Sequence, residues 1–190
     1  MIGNDLEIEI IELFRKDITR LLTINQIAKE LRKAYPYIHK KVTSFIEKEI
    51  FNKFKLGNST LCSINLQSEE AIVLLTINEL KQKKELLKKN KELELKIEKL
   101  KEASKEVPIQ TVLKVKNKLF IITENQFYKK TLHNEFSTAN IMTKQEFQQK
   151  ILKDYSQIQD HILLYHNEKY YEIMGEIEHE LRIKNFPITK

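Results

Sequence analysis

The sequence predicts an α+β protein made of two small domains and a helical connector. Three observations carry that expectation. Apolar residues recur at helical spacing through the first fifty residues and then give way to a β-rich stretch at residues 50–66. Residues 69–103, dense in lysine and glutamate beyond Glu79, read as one long helix. A second β-rich stretch, residues 111–123, opens a segment in which strands and helices alternate. The expected boundaries are 1–68, 69–105 and 106–190.

The first helix is expected over residues 4–22, with Ile8, Ile11, Phe14, Ile18 and Leu21 on one side and Asn4 with Glu7 as its cap. Thr23 with Gln26 three residues on is a capping box, so a second helix starts there and presents Ile24, Ile27, Ala28 and Leu31 to a core. Tyr35-Pro36 stops it. Proline suits the first turn of a third helix because its missing N–H is not needed there.

That third helix is expected over residues 36–50, with Ile38, Val42, Phe45 and Ile46 on its apolar stripe. At about 100° per residue, Lys40 and Ser44 point away from the stripe. Tyr37 and Thr43 sit beside them, and His39 and Lys41 lie on the flanks. Donors and short polar groups on an outward helix face are the chemistry of phosphate and base-edge contact. The alternative is an ordinary solvated face.

The stretch "IFNKFKLGNSTLCSINL" reads as two strands joined at Gly57-Asn58. Three helices followed by a hairpin is the order of a winged helix. Lys53, Lys55, Asn58 and Ser59 would lie on the wing, while Lys29, Arg32 and Lys33 charge the second helix. Residues 23–80 resemble the winged helix-turn-helix domain of archaeal regulators, above all in "GNSTLCSINLQSEEAIVLLTINEL": a glycine-tipped wing, a strand ending in Asn-Leu and a helix leading out. The resemblance implies duplex DNA as partner; the outward face of the third helix, the charged end of the second and the wing give Arg32, Lys33, Tyr37, His39, Lys40, Lys41, Thr43, Ser44, Lys53, Lys55, Asn58 and Ser59 as the expected contacts.

In the connector, Ile72, Val73, Leu75, Leu80 and Leu87 are apolar, and Leu86, Asn90, Leu93, Ile97 and Leu100 fit an a/d register with one polar position. A short homodimer seam and a plain solvated linker helix are both compatible with this pattern.

Beyond it, "TVLKVKNKLFIIT" pairs two strands around Lys116-Asn117. A helix at residues 126–134, a strand at "TANIM" and a helix opened by the Thr143/Glu146 capping box follow. The closing stretch, residues 158–183, is expected to be helical almost throughout. "IMTKQEF" followed by "DHILLYHNEKYYEIM" is similar to the end of the archaeal nucleotidyltransferase-like domain that often accompanies such a winged helix. An active member of that family needs a glycine-serine turn for the triphosphate and two close aspartates for magnesium. The corresponding turn here has neither, and Glu124 arrives alone after the second strand. Catalysis is therefore not carried over, and the expectation is a degenerate domain with no catalytic residue.

Composition narrows the classes further. The chain has 190 residues and a formal net charge of +6. Its single cysteine, Cys62, excludes a disulfide framework or a thiolate zinc cluster within one chain, and it has no neighbouring base to make it a nucleophile. With only Gly3, Gly57 and Gly175 as glycines, neither a P-loop nor a dinucleotide fingerprint can form. His161 and His166 are five apart, about 140° on a helix, which is poor for joint metal ligation. Tyr165, Tyr170 and Tyr171 read as core or interface packing. No metal, cofactor, small-molecule ligand or membrane association is expected. The acidic, amphipathic N-terminus is not a signal peptide, and the expected location is the cytoplasm. The expected role is transcriptional regulation on duplex DNA. A non-catalytic protein-interaction module is the first alternative, and a nucleotidyltransferase with a displaced metal site is the second.

Overall fold

The computed structural model describes residues 5–57 and 59–185, so the Asn4 cap and the wing residue Asn58 lie outside the described residues. The chain is α+β and divides into two compact units, Met1–Asn78 and Glu79–Lys190. The division falls inside a helix, earlier than the expected start of the second domain.

In the N-terminal unit the order is α1 (Asp5–Arg15), β1 (Leu22–Thr23), α2 (Ile24–Leu31), α3 (Tyr35–Glu47), β2 (Phe51–Leu56), β3 (Ser59–Ile64) and the start of α4 (Glu69–Lys89). The first helix stops well short of residue 22. The Asp17 carboxylate accepts from the backbone N–H of Thr19 at 2.9 Å and from its hydroxyl at 2.6 Å. That local bond competes with the helical ladder and turns the chain. Leu22 and Thr23 then pair antiparallel with Cys62 and Leu61, giving a three-stranded sheet of order β1-β3-β2. The Thr23/Gln26 capping box forms as expected. Pro36 stands in the first turn of α3, and Glu49, at φ 58, ends the helix region before residue 50.

The core of this unit gathers Ile10, Ile11 and Phe14 of α1, Ile27 of α2, Ile38, Val42 and Phe45 of α3, and Ile64 of β3. Phe51 sits among them, its ring centroid 4.7 Å from Phe14 and 5.2 Å from Phe45. Each such side chain stabilises the fold by about 1.5–3 kcal/mol when fully buried.

The C-terminal unit contains the rest of α4, α5 (Lys91–Ala103), β4 (Ile109–Val115), β5 (Lys118–Thr123), α6 (Gln126–Glu135), β6 (Asn140–Thr143), α7 (Lys144–Lys153), β7 (Ile162–Tyr165) and α8 (Asn167–Asn185). Its sheet has the order β6-β5-β4-β7, with β6 parallel to β5 and the other pairs antiparallel. Neighbouring residues Val112 and Leu113 in the central strand β4 are both fully buried, so helices cover both faces of the sheet.

Two expectations are corrected here. The single helix over residues 69–103 is broken at Asn90, which has φ −141 and caps α5 by accepting from the Leu93 N–H at 3.0 Å. Leu93, Ile97 and Leu100 then pack in the unit's own core with Val112, Ile121 and Leu164, and Leu86 packs partly against it. Of the proposed seam Leu86, Asn90, Leu93, Ile97 and Leu100, the last three are therefore spent on this chain's own core, Leu86 packs partly against it and Asn90 caps α5, so the stripe is not an exposed dimer surface. The closing stretch is also not continuously helical. A 3-10 turn (Tyr155–Ile158) and β7 precede α8, with Asp160 at φ 57 and His166 at φ 47 bracketing the strand. The helical angle between His161 and His166 consequently does not apply.

A buried carboxylate closes the outer edge of β7. Glu79 is 0% exposed and accepts from the Leu163 backbone N–H at 2.8 Å and from the Tyr171 hydroxyl at 3.3 Å. His161 Nε2 lies 3.6 Å away, while its Nδ1 contacts the Ile158 carbonyl at 2.9 Å. An edge amide facing protein needs such an acceptor. Replacing Glu79 by alanine should lower the unfolding free energy by about 2–4 kcal/mol, because it orphans the Leu163 amide and opens a cavity. Glu79→Gln, which keeps an acceptor oxygen, should cost less in a denaturant titration. Equal losses would show that a neutral acceptor oxygen cannot replace the carboxylate at this edge.

A second carboxylate makes the same unit acid-sensitive. Glu146 accepts from Lys129, from the Thr143 N–H that completes the α7 capping box, and from Gln126; these bonds hold its pKa at about 2. A carboxyl depressed in the folded state stabilises fully above its unfolded value and loses that contribution as pH falls through the folded one. Thermal stability should therefore drop between about pH 4.5 and 2, and Glu146→Gln should flatten that part of the profile. The side chain is partly exposed, so high salt should reduce the effect.

Candidate nucleic-acid interface

The core side of α3 fixes its other side. With Ile38, Val42 and Phe45 buried, Lys40 and His39 are exposed, Tyr37 is 73% exposed, and Thr43 and Ser44 are half-buried. Tyr35, which sequence reading used only as a helix stop, is 48% exposed and stands 5.5 Å from the His39 ring. Tyr37 and Lys40 thus face away from the buried stripe, while Tyr35 and His39 pair on its flank.

The hairpin adds a second patch. β2 and β3 pair in register from Phe51↔Ile64 to Leu56↔Ser59, and Gly57 turns the chain at φ 57. Alternation puts Lys53 and Lys55 on one side of β2, both exposed, and Ser59 is exposed at the start of β3. Phe54, on the other side of β2, is 42% exposed.

Two lysines expected to contact a ligand are held by α1 instead. Lys41 Nζ is 2.7 Å from Glu7 and half-buried, and Lys33 Nζ is 3.2 Å from Glu9 at the surface. Sequence reading missed these carboxylates as partners. The acidic character of the first helix was the signal, since helices one and three must meet in a core this small. Arg32 is exposed at the C-cap of α2, at φ 53.

Charge within the unit is segregated. From Lys29 to Lys55 there are eight lysines and arginines against three glutamates, while the rest of residues 1–78 carries three basic and seven acidic side chains. The basic segment comprises α3, the end of α2 and the wing strand, with Lys33 and Lys41 offset by α1 carboxylates.

Elsewhere the other candidates resolve into structural roles. Burial pushes the Cys62 thiol up to about 11, so almost no nucleophilic thiolate exists at neutral pH. Tyr170 and Tyr171 are fully buried and contact each other edge to face. Tyr165 stacks on His166 at 3.9 Å, and its hydroxyl is 2.9 Å from that of Ser104. His166 Nδ1 lies 3.1 Å from the Ile109 carbonyl and His161 turns toward Glu79, so each histidine has its own partner. The turn between β4 and β5 is Lys116-Asn117, and Glu124 is exposed beyond the end of β5. Comparison with protein-family models, with curated proteins and with solved structures gave no match to this chain.

Proposed function

We propose that the chain is a duplex-DNA-binding protein acting in transcriptional regulation. On this reading its N-terminal unit is a winged helix, α3 enters the major groove and β2–β3 form the wing. The observation that carries the reading is the outward face of α3, where Tyr37 and Lys40 are exposed opposite a fully buried stripe. The order α1-β1-α2-α3-β2-β3 and the sheet order β1-β3-β2 support it, because three helices followed by a hairpin is the order of a winged helix. The C-terminal unit is read as a non-catalytic relative of the nucleotidyltransferase fold, since the turn at Lys116-Asn117 offers no carboxylate for a metal. A homodimer stays within the proposal because a single module reads a short site, but its seam lies outside α5. A second reading, docking of a protein on the same face, is favoured by one observation: Tyr35, Tyr37 and Phe54 are all exposed, and aromatics are enriched at protein interfaces.

Fluorescence anisotropy with duplexes selected from a random pool tests the proposal. Each phosphate contact should add about 0.9 to the slope of log affinity against log salt. Removing Lys53 and Lys55 should weaken binding to all sequences alike, whereas changing Thr43 or Ser44 should alter preference among sequences. Absence of duplex binding at low salt would overturn the proposal and leave the protein-docking reading.

The pairing of Lys41 with Glu7 generates a further expectation. Glu7→Gln frees a cation without adding one, so duplex affinity should rise by about two- to tenfold at low salt, with a steeper salt slope. Unchanged affinity and slope would place Lys41 away from the DNA.

A further inference from the structure

The C-terminal unit carries a cationic surface that the reading of the N-terminal unit does not use. The β4–β5 hairpin ends in the sequence Lys114-Val115-Lys116-Asn117-Lys118, three lysines in five residues. Its register, Val115↔Lys118 and Lys114↔Leu119, makes the turn a minimal one, so the three ammonium groups are confined to one tip. Lys116 and Lys118 are exposed, and Lys114 Nζ donates to the Lys116 carbonyl, which curls that side chain over the turn. Among the described residues none of the three has an ion pair. Most lysines on the neighbouring α5 differ: Lys91, Lys96 and Lys101 each pair with a glutamate one turn away.

Beside the tip runs an open groove lined by Lys114, Lys118, Asn117, Thr138, Asn90 and Lys96. Its single carboxylate, Glu92, is neutralised by Lys96 at 2.7 Å. The groove therefore combines uncompensated cations with short polar donors. That is the composition of a phosphate-contacting surface: charge supplies affinity, and hydroxyl and amide groups fix the backbone.

Lys116 adds a second argument. It takes the first turn position at φ 52, a conformation in which glycine or asparagine is the unstrained choice. Asparagine stands one residue later, at Asn117. The lysine is exposed, so core packing does not require it.

We propose that the β4–β5 hairpin tip binds the phosphate backbone of nucleic acid, through Lys114, Lys116 and Lys118 with Asn117 and Thr138 as neutral donors. The choice of partner rests on the duplex-DNA reading of the N-terminal unit. The surface reads no sequence, because it offers charge and backbone donors rather than an element that enters a groove.

The test uses the full chain and one labelled duplex over a salt series. Lys114→Gln/Lys116→Gln/Lys118→Gln should reduce the slope of log affinity against log salt by about 2 and leave sequence preference unchanged. Lys114→Arg/Lys116→Arg/Lys118→Arg should retain binding. Lys116→Gly separates charge from folding: it relieves the left-handed turn, so the melting temperature should hold or rise while affinity falls about three- to tenfold. A parallel variant lacking Lys40, Lys53 and Lys55 tests the N-terminal unit. Weakening by that variant alone overturns the hairpin proposal and keeps the N-terminal one. Weakening by the hairpin variant alone does the reverse. A wild-type chain that binds no duplex at low salt overturns both.

Discussion

Thr23 sets the geometry of the N-terminal unit. Its backbone stands opposite Leu61 in β3, so it is the last residue of a strand. Its hydroxyl accepts from the Gln26 N–H at 3.2 Å, while the Gln26 side chain accepts from the Thr23 N–H at 2.7 Å, so it is also the cap of a helix. One residue thus joins sheet to helix with no loop between them. The direction of α2 is fixed against β3, and the left-handed turn at Arg32 hands the chain to α3. Because α3 must bury Ile38, Val42 and Phe45, its outward face is determined before any ligand is considered. A cap of this kind is worth about 1 kcal/mol. Its structural reach is larger, because it decides which side of α3 faces water.

The features legible in the sequence were those whose causes are local. The capping boxes at Thr23 and Thr143 form as read, the Asn4 cap lying outside the described residues, and both hairpins turn where their turn residues stand. Elements with distant causes were misread. β1 has two residues and exists only because Leu61 and Cys62 offer it a ladder. β7, "ILLY", is a short apolar run, and such a run is ambiguous between strand and helix until its neighbours are known. Its boundaries carry no glycine or proline; Asp160 and His166 take the left-handed positions instead. Asn90 was read as a polar seam position and is a cap, two roles that favour the same residue type. The stripe of Leu93, Ile97 and Leu100 has the period of a seam and equally the period of a helix laid on a sheet. For the candidate interface, helical arithmetic placed Lys40 and Tyr37 outward, but it did not reveal that α1 neutralises Lys33 and Lys41.

That neutralisation changes how the basic face has to be counted. The Lys41–Glu7 pair is about three-quarters covered on both sides, at 26% and 24% exposure, whereas Lys33–Glu9 is at 46% and 41%. The more exposed pair is screened by salt and worth little, so Lys33 is available to a phosphate at small cost. The better-covered pair must be opened before Lys41 can serve. Competition from Glu7 thus lowers the effective charge of α3 and leaves Lys40, Lys53 and Lys55 as the lysines of the candidate interface that have no ion pair among the described residues. On the proposed DNA-binding reading, such an interface would favour sites that approach those three lysines and discount phosphates reached only through Lys41.

Glycine scarcity links the two cationic surfaces. With Gly3, Gly57 and Gly175 as its only glycines, the chain must fill left-handed backbone positions with other residues. Arg32, Glu49, Lys116, Asp160 and His166 do so among the described residues, each at the end of a helix, in a turn or beside a strand. Each costs about 1 kcal/mol relative to glycine. Each also places a side chain where glycine would leave none, on the outside of a turn and clear of the core. Glu49 ends α3, and Asp160 and His166 shape the loops around β7. Arg32 and Lys116 lie at exposed bends, one after α2 and one at the β4–β5 tip, and both carry a cation. A turn that projects a positive charge into solvent can meet a polyanion ahead of the surrounding surface. The same conformational cost that weakens these two turns therefore comes with an exposed cation at a bend of each unit.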